Sequence, residues 1–405
     1  MSKKYSIVIP TYNHLEDCLK PCLKSIIKYT DLSQVEIIIV ANGCTDNTKE
    51  YVESLGSPFK LLWIDEPSGY TKSTNEGIKI SIGQYVVLLN NDTVLLDQPN
   101  NTWLRMMEDP FLLDQNVGIT GPMSAFCPYA CSNFLIFFCV MIKKQVIDRL
   151  GLLDEIFSPG MGEDTDYCIK AMNSGYKIQQ IPNEDKCFSD DSNKRMVGGF
   201  PIYHAGEKTF DHFNSDGILQ TTFNTNGRDL VERNRIIMAN RYGKGKLKAN
   251  IGCGDRQLPG FIGMDLYAQG GEVLKIDFRD LSVFEDGVFN EIMASHIFEH
   301  IIAYDVMDAL KEWNRVLAPG GKLIMELPDI LEICKHFEGS NKEERYRLLN
   351  CIYGINCGSG QTHYFGWYDE IVFDHLNGAG FVNFSRQEPQ FDSWGHNMRI
   401  EAYKG

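Results

Sequence analysis

The chain has 405 residues, of which 43% are apolar and 23% charged. That composition excludes disordered and collagen-like classes, and the length exceeds what one hydrophobic core normally serves, so two domains are expected. A net charge of −15 excludes the basic stripe of a non-specific nucleic-acid binder, yet it does not oppose a small phosphorylated ligand held through a metal.

The N-terminus passes from Lys3 and Lys4 into a strand-like run with no apolar leader and no cleavage site, so a cytoplasmic protein is expected. The runs 5–10 (YSIVIP), 35–41 (VEIIIVA), 60–64 (KLLWI) and 84–89 (QYVVLL) read as strands. Between the first three lie helical periods, LEDCLKPCLKSIIKYT and TDNTKEYVESLG. Alternation of this kind predicts a mostly parallel sheet covered by helices. The longest dense apolar run, Phe134 to Ile142, is far shorter than the roughly 20 residues that span a bilayer. No transmembrane segment is expected. Twelve cysteines are scattered without CxxC pairs, which reads as reduced thiols.

Ligands of open α/β sheets bind beyond the carboxyl ends of the strands. The residues there are short and polar: Thr11, Tyr12 and Asn13 after the first strand, Asn42 to Asp46 after the second, Asn90 to Thr93 after the fourth. Each has a local explanation as well, since Asn-Gly makes turns and Thr45 or Asp46 can cap the next helix. Together they outline a crevice lined with donors and one clear carboxylate, Asp92.

Five stretches in order, SIVIPTYN (6–13), IIIVANGCTDNT (37–48), GYTKSTNEGI (69–78), VLLNNDT (87–93) and GLLDEIFSPGMGEDTDYCIKAMNSGYKI (151–178), resemble the motifs of family 2 glycosyltransferases. The likeness covers about residues 5 to 210. It implies a GT-A fold, inversion, and a nucleotide-diphosphate sugar donor bound by Pro10, Thr11, Tyr12, Asn13, Asn42, Lys72, Asn75, Asn91 and Asp92, with Asn42 at the base. NND at 90–92 stands at the family's DxD position with Asn90 replacing the first acid, so Asp92 is the side-chain carboxylate implied for the metal, and His204 the histidine near it. An ordinary core or surface histidine is the alternative for His204. The leaving diphosphate develops negative charge, and an oxygen-rich site for it suits Mn²⁺ or Mg²⁺. Glu163 and Asp164 match the family's acidic pair, with Asp164 as general base, although carboxylates also suit the first turn of a helix. Signatures of processive synthases are absent, which favours addition of one hexosyl or deoxyhexosyl unit.

A charged helix, GRDLVERNRIIMANRYGKGK, ends in a Gly-Lys-Gly-Lys hinge, placing the domain boundary between residues 1–243 and 244–405. A second alternation follows: KLKANIG, FIGMDL, EVLKI, NEIMAS and KLIMEL read as strands and DVMDALKEWNRVL as an amphipathic helix. Gly252 and Gly254 follow the first of these strands and Asp265 ends the second. Glycines admit close backbone approach, and a carboxylate at that place can take ribose hydroxyls. With KIDFRDL, EIMASHIFEHI and EWNRVLAPGGKLIMELPD, the series resembles class I S-adenosylmethionine-dependent methyltransferases of Rossmann-like fold. The resemblance implies Gly252, Cys253 and Gly254 at the methionine part, Asp265 at the ribose, Asp277 at the adenine, and Ser295 and His296 near the sulfonium. Ten residues between Gly254 and Asp265 predict a short or missing first crossover helix. His296 and His363 are candidate bases, and a structural role suits either equally.

Two alternatives stand beside a glycosyltransferase that also O-methylates a sugar of a glycan or lipid-linked glycan. In one, the second domain only binds acceptor. In the other, His296, Glu299 and His300 form an HxxEH zinc-hydrolase helix.

Overall fold

The computed structural model describes residues 3–181, 199–206, 227–268, 272–354, 362–390 and 396–405. Two compact units result: Met1–Cys127 with Ser132–Asn234, and Pro128–Cys131 with Arg235–Gly405.

In the first unit, β1 (Tyr5–Thr11), β2 (Val35–Asn42), β3 (Phe59–Ile64) and β4 (Tyr85–Leu89) are parallel neighbours in the order β3-β2-β1-β4. The sheet continues through β9 (Cys139–Lys143), antiparallel to both β4 and β6 (Val117–Gly121), to β10 (Lys177–Gln180). Short strands lie outside it: β5 (Thr93–Leu95), β7 (Ser124–Cys127), β8 (Ser132–Leu135) and β11 (Ile202–His204). The helices are α1 (Lys20–Tyr29), α2 (Thr48–Leu55), α3 (Tyr70–Lys79), α4 (Thr102–Leu113), α5 (Lys144–Leu150) and α6 (Glu163–Asn173).

Every residue of β1 and β2 is buried, because helices cover both faces of the sheet, and this is why those strands read as unbroken apolar runs. Ile7, Ile9, Ile37, Ile39, Val87 and Leu89 pack with Leu23 and Ile26 of α1 and Trp103 and Met107 of α4. Val8, Ile38, Val40, Val86 and Leu88 point the other way, onto Ile78 of α3, Val146 of α5 and Tyr167 of α6. Each such side chain contributes about 1.5–3 kcal/mol. The core thereby holds the strand ends, where the polar loops begin, in fixed register.

The charged helix is α7 (Gly227–Tyr242), and the compact units part inside it, after Asn234, ahead of the glycine hinge named from sequence. The reason is local: Arg233 donates to the carbonyls of Ile156 and Ser158, and Asn234 to those of Gly160 and Met161.

The second unit holds β12 (Leu247–Ile251), β13 (Ile262–Met264), β14 (Phe289–Ser295), β15 (Leu317–Pro328), β16 (Phe381–Gln387) and β17 (Asn397–Lys404), ordered β13-β12-β14-β15-β17-β16. The first four are parallel, and β17 is antiparallel to β15 and β16. Its helices are α8 (Val306–Val316), α9 (Ile330–Phe337), α10 (Lys342–Tyr353) and α11 (Asp369–Gly378). The amphipathic period of α8 buries Val306, Ala309, Leu310 and Trp313. No helix separates β12 from β13, as the ten-residue spacing predicts. The expected strand at 272–276 is reduced to one bridge, Met264 to Leu274. Leu274 N–H donates to Gly263 O, but Ile276 N–H then turns back onto Leu274 O, which ends the ladder.

Among the described residues, no helix is long and apolar enough to cross a membrane, and the ten described cysteines form no disulfide with one another.

Candidate active sites

At the carboxyl edge of the first sheet the polar loops are tied to one another. Asn91 Nδ2 donates to Thr11 Oγ1 at 2.8 Å, joining the ends of β4 and β1. Pro10 is buried within β1 and Tyr12 half-buried beyond it. Asn13 lies in the left-handed region at φ 51°, which Asn tolerates better than most residues. Its Oδ1 accepts from Thr45 N at 2.7 Å, fixing the loop after β2. Asp46 accepts from Leu15 N at 3.0 Å and from the Thr48 hydroxyl at 2.6 Å, so it holds the first helical turn as well as the start of α2. Asn42 Oδ1 accepts from Ser68 N at 2.7 Å and its hydroxyl at 2.8 Å. Its NH₂ is the group it can present to a base.

Asp92 follows β4 and is 7% exposed. β11 pairs antiparallel with β5, setting His204 opposite Thr93, and Ala205 N donates to Asp92 O at 3.0 Å. His204 Nε2 comes within 3.2 Å of Asp92 Oδ1, while its ring stacks on Phe138 at 4.3 Å between centroids. Despite that proximity, neither atom has a hydrogen-bond partner among the described residues. A buried carboxylate oxygen and an imidazole nitrogen that converge without a hydrogen bond are a donor pair that fits a shared cation. Asn90 donates its backbone N–H to Phe138 O, and its side-chain oxygen, like Asp92 Oδ1, is buried without a hydrogen-bond partner among the described residues.

Glu163 and Asp164 open α6 behind Gly162, whose φ is 121°. Burial pushes the Glu163 carboxyl well above the usual carboxylate range, and neighbouring Asp164 adds to the rise. Asp164 is raised by burial too, opposed by the N–H and hydroxyl of Thr165 and by the Phe137 N–H. Thr165 N lies 2.6 Å from Asp164 Oδ1. Phe137 and Phe138 therefore join the two halves of this site, one backbone group facing the acidic pair and one ring facing His204. In the sequence they belong to the apolar run Phe134 to Ile142, and no polar motif marks them.

The loop carrying the acidic pair is held on two sides. Tyr70 N donates to Pro159 O at 2.7 Å, and a Cβ on Gly69 would lie 2.5 Å from Pro159 Cα, so only glycine permits this approach. Arg233 and Asn234 of α7 grip residues 156–161 from the other side. Lys72 is exposed on the first turn of α3. Asn75, expected to contact the donor, is instead 0% exposed. Its amide joins Leu153 through Oδ1 and Nδ2, both at 3.0 Å, and Glu155 at 3.1 Å. With both polar atoms engaged inside the fold, Asn75 positions the loop before α6.

In the second unit Gly252 and Gly254 take left-handed φ values of 62° and 57°. A Cβ on Gly252 would lie 2.2 Å from Ile297 Cγ2, whereas Gly254 faces open space. A cradle that a Cβ would fill on one side and that stays open on the other fits close approach of a cofactor backbone. Asp265 accepts from Gly254 N at 2.9 Å and Tyr267 N at 2.7 Å, locking the turn, and Cys253 lies half-buried within it. Asp277 is held by a fork of Arg279, which keeps its carboxyl below the usual range. Its expected adenine contact competes with that ion pair. Ser295 ends β14, and His296 follows with φ 54°.

His296 Nε2 lies 3.1 Å from Asn397 Nδ2 and its Nδ1 3.3 Å from Glu299 Oε1. His363 Nδ1 meets Cys351 O at 2.9 Å, and burial lowers its pKa. The HxxEH helix does not form. Phe298–His300 is one tight 3₁₀ turn, and His296 lies outside it in the left-handed region, so the two histidines do not stand a helical turn apart on one face.

Residues 6–121 match the model described as glycosyl transferase family 2, and residues 263–325 the one described as methyltransferase domain. Glycosyltransferase GlyG of Streptococcus pneumoniae is 27% identical over 27% of this chain and 36% of its own length. Glycosyltransferase AglE of Haloferax volcanii is 33% identical over 24% of this chain and 32% of its own. The chain thus spans about a third of these two relatives. An uncharacterized glycosyltransferase of Methanocaldococcus jannaschii is 22% identical over 49% of this chain and 77% of its own length. Among solved structures, mannosyltransferase PcManGT from Pyrobaculum calidifontis, in complex with GDP-Man and Mn²⁺, is 19% identical with a TM-score of 0.37, covering 45% of this chain and 56% of its own. The chain thus carries a region similar to family 2 glycosyltransferases, residues 6–121, and one similar to a methyltransferase domain, residues 263–325, each within an α/β unit.

Proposed function

We propose that the first domain transfers a single sugar, with inversion, from a nucleotide-diphosphate sugar to a hydroxyl of a glycan or lipid-linked glycan, and that the second methylates a sugar hydroxyl using S-adenosylmethionine. The observation that carries the first half is the convergence of Asp92 Oδ1 and His204 Nε2, 3.2 Å apart and without a hydrogen bond between them, at the carboxyl edge of the sheet. Asp92 and His204 would hold Mn²⁺ or Mg²⁺, which when bound supplies positive charge to the departing diphosphate. The acceptor oxygen bonds to the anomeric carbon as the bond to the diphosphate oxygen breaks, and the hydroxyl proton passes to Asp164. Burial that raises Asp164 makes it a stronger base than a solvated aspartate. Glu163, raised further, shares the site as a neutral neighbour and limits like-charge repulsion.

In the second domain the Gly252 to Gly254 turn would receive the methionine part and Asp265 the ribose. Bound S-adenosylmethionine supplies the electrophilic methyl group, and the protein's part is orientation and removal of one proton. Covalent fusion raises the effective concentration of one domain's product near the other.

A panel of UDP, dTDP and GDP sugars, scored for Mn²⁺-dependent turnover with and without acceptor glycans, tests the first half. Calorimetry with S-adenosylmethionine tests the second. Absence of binding would reduce the second domain to an acceptor-binding module, a reading that the Asp277 to Arg279 fork favours.

A further inference from the structure

Just after β14 of the second domain lies a buried carboxylate that the proposed reactions do not use. Glu299 sits in the tight turn after β14 and is 1% exposed. Neither of its carboxylate oxygens has a hydrogen-bond partner among the described residues. A carboxylate so placed costs several kcal/mol unless a positive charge compensates it.

What faces Glu299 is imidazole. One donor atom each from Glu299, His300 and His363 lies within 4.8 Å of the other two. His300 and His363 rings meet edge to face at 4.7 Å between centroids. Each histidine uses Nδ1 on a backbone carbonyl, His300 on Thr362 O at 3.0 Å and His363 on Cys351 O at 2.9 Å. A carbonyl only accepts, so Nδ1 carries a proton in both rings, and in the neutral ring Nε2 is the atom left with a lone pair. His363 Nε2 lies 4.0 Å from Glu299 Oε1. Backbone carbonyls that fix the tautomer and aim of two Nε2 atoms are the outer-shell device of metal-binding histidines. His296 Nδ1, 3.3 Å from Glu299 Oε1, adds a group that orients the carboxylate.

We propose that Glu299, His300 and His363 bind a divalent transition metal, Zn²⁺ being the ion their donors suit. Two imidazoles and a carboxylate are a zinc donor set that keeps a position open, whereas Mg²⁺ prefers oxygen throughout. Tetrahedral Zn²⁺ at about 2.0–2.1 Å from each ligand sets donor atoms roughly 3.3 Å apart. From separations of at most 4.8 Å, an adjustment of up to about an ångström per side chain closes the site around an ion. The ligands come from two segments, the turn after β14 and the stretch before α11, so the ion would pin one to the other. This set differs from the HxxEH triad, because His363 takes the place of His296.

The test uses the full chain carrying Asp92→Ala, which removes the metal site proposed for the first domain. Substitutions of the ligands separate binding here from binding at His14, Asp17 and Cys18, the other group of possible ligands among the described residues. After chelator treatment and dialysis it is titrated with Zn²⁺ by calorimetry and with Co²⁺ by visible absorbance, in the presence of excess Mg²⁺. One equivalent of Zn²⁺ and d–d bands of a four- or five-coordinate Co²⁺ site are expected. His363→Ala and Glu299→Gln, each added to that background, should weaken Zn²⁺ at least tenfold. His296→Ala should weaken it by a smaller factor. His300→Gln gives a second ligand deletion should His363→Ala fail to retain its far-ultraviolet circular dichroism. No stoichiometric Zn²⁺, or binding that survives His300→Gln and Glu299→Gln unchanged, overturns the proposal. In that case Glu299 is an ion-pair partner of a protonated His296.

Discussion

Replacing Asn75 by alanine separates a donor contact from a positioning residue. The side chain is completely buried and makes three hydrogen bonds, two to the backbone of Leu153 and one to Glu155. Truncation leaves the Leu153 N–H and carbonyl without these partners, at about 1–3 kcal/mol for each unsatisfied group, so a loss of about 3 kcal/mol is expected. For a domain of this size that corresponds to a fall of roughly 6–12 °C in its melting temperature. Thermal melting followed by near-ultraviolet circular dichroism reads the loss, and calorimetry with UDP and GDP in Mn²⁺ reads nucleotide affinity. The expected result is a lower melting temperature, a lower kcat because residues 153–164 loosen, and an unchanged nucleotide Kd. An unchanged melting temperature with weakened nucleotide binding would refute the structural assignment and restore Asn75 to the donor site.

Other consequences follow from the same geometry. Asp164→Asn should lower kcat by about 10²–10⁴-fold with little change in nucleotide affinity, measured by steady-state kinetics on any accepted donor. Because burial raises Asp164, kcat/KM should be full on the alkaline side and fall, as pH drops, at a higher pH than an ordinary aspartate would give. Thr165→Val removes a hydroxyl donor to Asp164 Oδ1 and should move that acid limb higher still. Glu163 carries a raised folded-state pKa, so its contribution is present at low pH and lost as pH rises through that value. Glu163→Gln should consequently raise the melting temperature at pH 8. Gly252→Ala drives a Cβ to 2.2 Å from Ile297 at a left-handed φ. It should weaken S-adenosylmethionine at least tenfold in calorimetry while sugar transfer is unchanged.

Much of the fold was legible because both sheets announce themselves physically. Strands such as β1, β2 and β4 are buried on both faces and so read as unbroken apolar runs, and helices such as α8 carry one apolar stripe. The missing first crossover of the second domain was legible from spacing alone. The strand expected at 272–276 was not, since its fate rests on one backbone turn at Ile276 that composition does not encode. Asp92, Glu163 and Asp164 were visible as charges interrupting or following apolar runs. That His204 lies near Asp92 was implied by the family resemblance and not by local pattern, since it depends on a pairing of β11 with β5 across more than a hundred residues. The roles of Phe137 and Phe138 were hidden, because they depend on one backbone N–H and one ring face. Asn75 shows the converse: a motif position invites a ligand role, and only burial with both amide atoms engaged assigns it to the loop before α6.

The measurement closest to the central claim is Mn²⁺-dependent turnover of nucleotide-diphosphate sugars by the wild-type chain beside Asp92→Ala and His204→Ala. Wild-type turnover should vanish on chelation and return with Mn²⁺, while each variant should lose most of its activity and bind Mn²⁺ at least tenfold more weakly. Turnover that resists chelation, or that persists undiminished in Asp92→Ala, would contradict a metal-dependent transfer built on this pair.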